Sequence, residues 1–158
     1  MRAIVLALVL LAAPPAAVLA PAAEDDREYL QACLAAAGGR TAAARTTCFG
    51  QVSEVCLAQG RSGGEPPDML TCAERELDAW RTLLDEALAR LAESEPAPRL
   101  AVIDDAQAVW RDWRDARCAI YGTYDGPIYP PLAGLCRAET TSRRVVDLWE
   151  IAAGLGED

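Results

Sequence analysis

Histidine and lysine are both absent from the 158-residue sequence, and phenylalanine occurs once. Without histidine, the chain lacks the most common general base and a common zinc ligand. It also contains no C-x-x-C pair, no G-x-S-x-G turn and no phosphate-binding glycine loop. No carboxylate pair suited to sugar hydrolysis stands out among the 24 acidic residues. These absences argue against an enzyme, and also against a bound metal or other cofactor.

The charged residues are predominantly acidic. The chain has 15 basic residues, all of them arginine, against 24 acidic ones, which gives a formal net charge of −9 at pH 7. Nucleic acids and anionic lipid surfaces repel such a chain on average, so neither is an expected partner. A cationic protein is attracted by this charge, although negative charge also simply keeps an exported protein soluble.

The first 22 residues have the pattern of a secretory signal peptide. Arg2 precedes an apolar run that two prolines interrupt, and an A-x-A cleavage site ends at Ala22. A retained transmembrane helix is the alternative, but the prolines and the short uninterrupted stretch disfavour it. We therefore expect residues 1–22 to be removed on export. Residues 23–158 are then expected to form one soluble domain, in the periplasm or outside the cell.

Six cysteines follow residue 22, an even number that is typical of a disulfide framework in an exported domain. Six cysteines allow fifteen connectivities. The simplest pairs sequence neighbours, as Cys33–Cys48, Cys56–Cys72 and Cys118–Cys136. Each such bond closes a loop of about 15 to 20 residues and contributes on the order of 3 kcal/mol. Zinc binding is the competing use of these cysteines, and their spacing disfavours it.

Apolar residues recur at helical spacing along most of the chain, and no useful length alternates with the period of a strand. The pattern predicts five helices with boundaries at Gly, Pro, Thr and Asp signals. Their expected ranges are 25–37, 41–59, 69–93, 98–121 and 135–153, and residues 122–134 are expected to form a loop. The sequence therefore predicts an all-α fold, a small helical bundle stapled by disulfides.

Three of the predicted helices carry an ionisable residue on their apolar side. On a helical wheel, Glu76 lies in the apolar arc of the third helix. Gln107 and Arg114 lie in or beside the arc of the fourth, and Thr141 and Arg144 in that of the last. An unpaired buried charge costs several kcal/mol, so we expect Glu76 to pair with Arg114, Arg144 or both. Gln107 and Thr141 are expected to complete this network, which either fixes helix register or leaves arginine donors for a bound anion.

The segment between Cys118 and Cys136, which includes the predicted loop, is rich in tyrosine, glycine and proline. It contains Tyr121, Tyr124 and Tyr129. Rigid aromatic side chains bind a protein partner with little loss of conformational entropy, so these three are candidate partner-binding residues. The alternative is that the tyrosines fold back over the end of the bundle.

Four segments carry a pattern with defined spacing. LAVIDDAQAVWRDWRDARC is similar to L…Q-x-x-W-x-x-(aromatic)-R-D-x-x-C, and CRAETTSRRVVDL to C-x4-T-x2-R-x3-L. CAERELDAWRTLLDEALARL is similar to C-x3-E-x3-W-(D)-x-x-L-N-x-x-Y, and CFGQVSEVC to a cysteine pair that precedes it. Together they resemble the signature of the LprI-like lysozyme-inhibitor N-terminal domain family over about residues 48–150. Arg81, Asp85 and Leu88 depart from it, where Asp, Asn and Tyr are common.

The resemblance implies an exported, cysteine-containing helical domain, and the family name implies lysozyme inhibition. The matching residues, Trp110 and Trp113 among them, are those that the wheel places inward, so the signature is expected to describe a core. Our first hypothesis is a protein that captures or inhibits a cationic protein such as lysozyme. The second is a structural or stress-related envelope protein without inhibitory activity. The third, a hydrolase of cell-wall sugar, has the least support in the sequence.

Overall fold

The computed structural model describes residues 23–37, 46–60 and 64–153, and the predicted signal peptide lies outside them. These residues form five α-helices and two short 3₁₀ turns, which confirms the all-α prediction. The helices are α1 (Ala23–Ala36), α2 (Gln51–Gln59), α3 (Pro66–Ser94), α4 (Ala97–Ala119) and α5 (Tyr129–Ala152), and the 3₁₀ turns are Thr46–Cys48 and Ile120–Thr123. Among the described residues, no helix has both the length and the hydrophobicity that a membrane span requires.

The long helices α3 and α5 pair along the centre of the fold. Trp80 and Leu83 of α3 are fully buried, and Val145 and Leu148 of α5 pack in the same apolar cluster. Helices α1 and α2 pack on α3, whereas α4 packs on α5 and the second 3₁₀ turn. Helix α4 therefore lies at the edge of the bundle, and much of its surface is left to solvent.

Three disulfides link the helices, and they are the sequence-neighbour pairs, the simplest of the fifteen possible connectivities. Cys33–Cys48 joins α1 to the first 3₁₀ turn, Cys56–Cys72 joins α2 to α3, and Cys118–Cys136 joins α4 to α5. Their Cα atoms are 5.9, 5.5 and 5.7 Å apart, within the ordinary range for disulfides. The predicted disulfide framework is confirmed.

Helix α2 begins later than the hydrophobic period predicts. The predicted start at residue 41 lies outside the described residues, and the chain from Thr46 to Gly50 forms a 3₁₀ turn followed by a turn at Phe49 and Gly50. Gly50 has φ of +87°, a left-handed conformation that interrupts a right-handed helix and that glycine adopts without strain. The apolar spacing through Cys48 and Phe49 therefore belongs to a turn that packs on the core, not to a helix.

Prolines lie in the first turn of three of the helices. Apolar spacing placed the start of α4 at Pro98, close to its observed start at Ala97. It placed the starts of α3 and α5 at residues 69 and 135, and so left their prolines in loops. In the structure, Pro66 begins α3 and Tyr129 begins α5, with proline in the first turn of α3, α4 and α5. Proline fits a helix start because its fixed φ is helical and its missing N–H has no partner there anyway. The residue before α3 is Glu65, and Asp68 lies within the first turn of the helix. Asp68 is therefore not the boundary residue that the sequence pattern indicated.

Helices α3 and α5 approach closely at Gly134. A Cβ atom there would lie 3.1 Å from the Cβ of Ala73, which is fully buried. We expect Gly134→Val to lower the free energy of unfolding by about 1–3 kcal/mol, because the added methyl groups overpack this contact. Chemical denaturation followed by circular dichroism measures the change. Gly122→Val is the matched control, since nothing lies within 4 Å of a Cβ at Gly122. Equal stabilities of the two variants would contradict the close approach.

Candidate functional site

The loop closed by Cys118–Cys136 gathers the three predicted tyrosines around one cavity. We name residues 119–135 the tyrosine loop, although this segment includes the second 3₁₀ turn and the start of α5. It borders a cavity of about 370 Å³ that Tyr121, Tyr124 and Tyr129 line together with Leu70 of α3 and Arg137 of α5. The rings of Tyr124 and Tyr129 stack, with centroids 5.0 Å apart and planes 20° from parallel. The structure therefore brings the predicted residues into one place.

The conformation of the tyrosine loop leaves apolar side chains exposed. Gly126 has φ of +128°, which lets the chain turn back beside the ring of Tyr129. Tyr129 is half-buried, whereas Tyr124 is 55% exposed, and Ile120 and Ile128 are exposed on the same segment. Each of the two alternatives therefore describes a different tyrosine. Tyr129 is partly covered by the protein, and Tyr124 faces solvent, where a partner can reach it.

Glu76 is buried, but its partners are not arginines. Its Oε1 accepts hydrogen bonds from the backbone N–H of Gly50 at 2.6 Å and from the indole Nε1 of Trp80 at 3.0 Å. Its Oε2 accepts the backbone N–H of Ser53 at 2.8 Å. Gly50 immediately precedes α2, whose first N–H groups have no partner within the helix. Glu76 of α3 therefore caps the N-terminus of α2, where the helix dipole also favours a negative charge.

The predicted pairing of Glu76 with Arg114 or Arg144 is wrong. Within the part of the chain that the structure describes, no ion pair joins Glu76 to either arginine. Arg114 donates its Nε–H to the neighbouring Asp115 at 2.9 Å instead, and this bond lowers the pKa of Asp115. Backbone amides satisfy the buried carboxylate, so it needs no cation.

Of the other members of the predicted network, Arg144 and Gln107 contact each other, whereas Thr141 bonds within its own helix. Arg144 of α5 donates its Nε–H to the Oε1 of Gln107 on α4 at 2.9 Å, so these two predicted members do meet. Thr141 is fully buried but donates to the backbone oxygen of Arg137 in its own helix. Burial lowers the pKa of Arg144, and Asp147 opposes this effect.

Arg114 and Arg144 share an aromatic neighbour, Trp110, and not the carboxylate that was predicted. The guanidinium carbons of Arg114 and Arg144 lie 5.1 and 6.0 Å from the centroid of a Trp110 ring, within the range of cation–π attraction. The two arginines from α4 and α5 thus meet at an aromatic ring. The helical wheel indicates that these residues face inward but does not show that both arginines contact Trp110.

The ion pairs that join helices involve residues that were not predicted from the sequence to form a buried ionic network. Arg75 of α3 forms a bidentate ion pair with the buried Asp26 of α1, with N–O distances of 2.9 and 2.7 Å. Arg27 of α1 pairs with Glu86 of α3 at 2.6 Å. Helical period alone gave no signal for them, because only the packing of α1 on α3 makes these side chains neighbours.

Helix α4 exposes apolar side chains that the sequence analysis did not place on its surface. Ile103 is buried, but Trp113, expected to face the core, is 50% exposed. Val102 and Val109 are exposed on the same helix. Trp113 is therefore not a core residue, because a helix that packs mainly on one neighbour buries only a narrow stripe.

No metal centre is found in the described part of the chain, where no three potential ligand side chains form a group that would hold an ion. Comparison with known proteins gives one finding. The chain matches the family model described as "Lysozyme inhibitor LprI" over residues 56–148, which include α3, α4, the tyrosine loop and most of α5. No curated protein and no solved structure matches the chain significantly.

Proposed function

This chain belongs to the lysozyme inhibitor LprI family, and we propose that it is an exported protein that binds and inhibits a cationic envelope-active protein such as lysozyme. Three disulfides fit a domain that works outside the reducing cytoplasm. A signal peptide at residues 1–22 accounts for export. The net charge of −9 favours encounter with a cationic partner, because opposite long-range charges raise the association rate.

One observation carries the choice of contact surface. A disulfide-closed loop inside the family-matched region presents Tyr124, Ile120 and Ile128 to solvent. The ring of Tyr124 is already held by stacking on Tyr129, so little conformational freedom is lost when a partner covers it. Pre-ordered aromatic groups of this kind typically supply a large share of the binding energy at protein interfaces. We place the partner on this loop.

Inhibition is tested by adding the purified domain to a lysozyme assay on cell-wall substrate. We expect inhibition at low salt that weakens as the salt concentration rises, because salt screens the attraction between the two proteins. Tyr124→Ala is expected to weaken binding about tenfold, the effect of losing roughly 1.4 kcal/mol at an interface anchor. Titration calorimetry with lysozyme measures this change directly.

Val102→Ala is the matched control, since Val102 is an exposed apolar residue near the other end of α4. It lies about 26 Å along the axis of α4 from the start of the tyrosine loop, at 1.5 Å per helical residue. Similar weakening by both variants would contradict the loop as the contact surface. No inhibition at low salt and excess protein would overturn the inhibitor proposal and favour a structural or stress-related envelope role.

A further inference from the structure

A second concave site lies between α4, α5 and the turn before α2. This site, which we name the arginine cleft, encloses about 290 Å³. Its characteristic side chains are three arginines and three aromatics, Arg117, Arg143, Arg144, Phe49, Trp110 and Trp113. None of its lining residues borders the cavity of the tyrosine loop. The arginine cleft is thus a separate feature from the surface proposed to bind lysozyme.

The arginine cleft is locally positive on an acidic protein. Asp147 is its one carboxylate against three guanidinium groups. Arg143 pairs with Glu139 at 2.7 Å, but Arg144 donates its Nε–H to the neutral amide of Gln107. No described carboxylate lies within 4 Å of the guanidinium of Arg117. Two cations therefore line the cleft without a direct carboxylate partner, although the chain carries a net charge of −9.

The remaining donors on these arginines suit an oxyanion. Arg144 uses its Nε–H on Gln107, which leaves the two terminal amino groups of its guanidinium. A guanidinium presents its N–H groups in a planar fork that matches the oxygens of a carboxylate or a phosphate. Burial of Arg144, which lowers its pKa, strengthens attraction to an anion because less water screens the charge.

The aromatic walls and the volume of the cleft indicate what the part of the ligand beyond its anionic group would be. Trp110 and Trp113 supply flat apolar surfaces beside the arginines. A volume of about 290 Å³ is close to the lower end of the range for small-molecule sites and is too small for a folded partner. We propose that the arginine cleft binds a small organic anion, with its carboxylate or phosphate group on Arg117 and Arg144 and a ring-shaped or apolar body against the tryptophans.

The test uses three probes that share one ring and differ in head group: benzoate, phenyl phosphate and the neutral benzyl alcohol. Titration calorimetry and tryptophan fluorescence are recorded in a low-salt Tris buffer, which contains no oxyanion. We expect at least one anionic probe to bind with a Kd on the order of 1 mM or tighter, and benzyl alcohol to bind at least tenfold more weakly. Binding of benzoate alone, of phenyl phosphate alone or of both identifies the head group, and each result supports the proposal.

Arg117→Gln is expected to weaken binding of the anionic probe about tenfold, because one charge-assisted contact is lost. Arg111→Gln is the matched control, since Arg111 is exposed on the same helix, lies outside the cleft lining and changes net charge equally. Circular dichroism checks that both variants are folded. Failure of both anions to bind, equal binding of benzyl alcohol, or equal effects of the two substitutions would overturn the proposal. Since the probes are titrated without lysozyme, the result is independent of the inhibitor assay.

Discussion

Replacing Glu76 with alanine is expected to lower the free energy of unfolding by about 3–5 kcal/mol. The Glu76 side chain is 2% exposed and accepts hydrogen bonds from Gly50, Ser53 and Trp80. Removing it leaves these three donors without their acceptor, and the donors on Ser53 and Trp80 belong to buried residues. An unsatisfied buried donor costs about 1–3 kcal/mol, so three together produce one of the largest effects available in this domain. Urea denaturation monitored by circular dichroism measures the loss.

Two variants separate the capping contact from general effects of charge. Glu74→Ala removes an acidic residue from the exposed surface of the same helix, and we expect it to change stability by less than about 0.5 kcal/mol. Glu76→Gln keeps one carbonyl acceptor but turns an amide group toward a donor, so its stability should lie between those of the wild type and Glu76→Ala. A Glu76→Ala variant as stable as Glu74→Ala would contradict the capping role.

A double-mutant cycle distinguishes the capping contact from the ion pair that the sequence suggested. Since Glu76 contacts α2 and Arg144 contacts Gln107, their substitutions should be additive to within about 0.5 kcal/mol. The cycle compares Glu76→Ala, Arg144→Gln and the double variant. A coupling energy well above that value would show that the two side chains interact and would restore the predicted pair.

The features that the sequence predicted correctly are those with a local signal. Helical period is a property of each segment, so the five helices and the all-α class follow from it. The cysteine pairs are also close in sequence, with separations of 15, 16 and 18 residues, and neighbour pairing proved correct. The tyrosines of the predicted loop lie within one short segment, so closing it at Cys118 and Cys136 brings them together.

Predictions of contact partners failed where they required knowledge of which helices meet. A helical wheel places Glu76 and Arg144 toward the interior but says nothing about their neighbours. Glu76 lies against the N-terminus of α2, a start that apolar spacing had placed too early, so its true donors were not visible in the sequence. Trp113 was assigned to the core because the wheel assumes that a whole apolar arc is covered, whereas α4 buries only part of it.

The arginine cleft could not be predicted from the sequence for the same reason: it forms only where particular helices meet. Its aromatic residues come from the turn at Phe49 and from α4, and two of its arginines come from α5. Inward-facing arginines with spare donors for an anion were predicted from the sequence, but around Glu76. The structure separates these features, because Glu76 is satisfied by α2 while Arg144 lies beside Trp110.

Removing the Cys118–Cys136 bond by alanine substitution of both cysteines is expected to destabilise the domain by about 3 kcal/mol. The bond closes a segment with a sequence separation of 18, and Cys118 is fully buried. Without it, the unfolded chain gains conformational freedom, and the native tyrosine loop loses the link between its two ends. Thermal and urea unfolding under non-reducing conditions measure the stability change.

The Cys33–Cys48 bond provides the matched control for the role of the loop. Its sequence separation of 15 predicts a similar stability loss, about 3 kcal/mol, but it joins α1 to the first 3₁₀ turn and leaves the tyrosine loop closed. At a temperature where both double variants remain folded, loss of Cys118–Cys136 should therefore weaken lysozyme inhibition more than loss of Cys33–Cys48. This difference arises because an unconstrained loop must be ordered on binding, at a cost of about 0.5–1.5 kcal/mol for each immobilised side chain. Equal inhibition by the two variants would show that closure of the loop does not contribute to the contact, whatever its effect on stability.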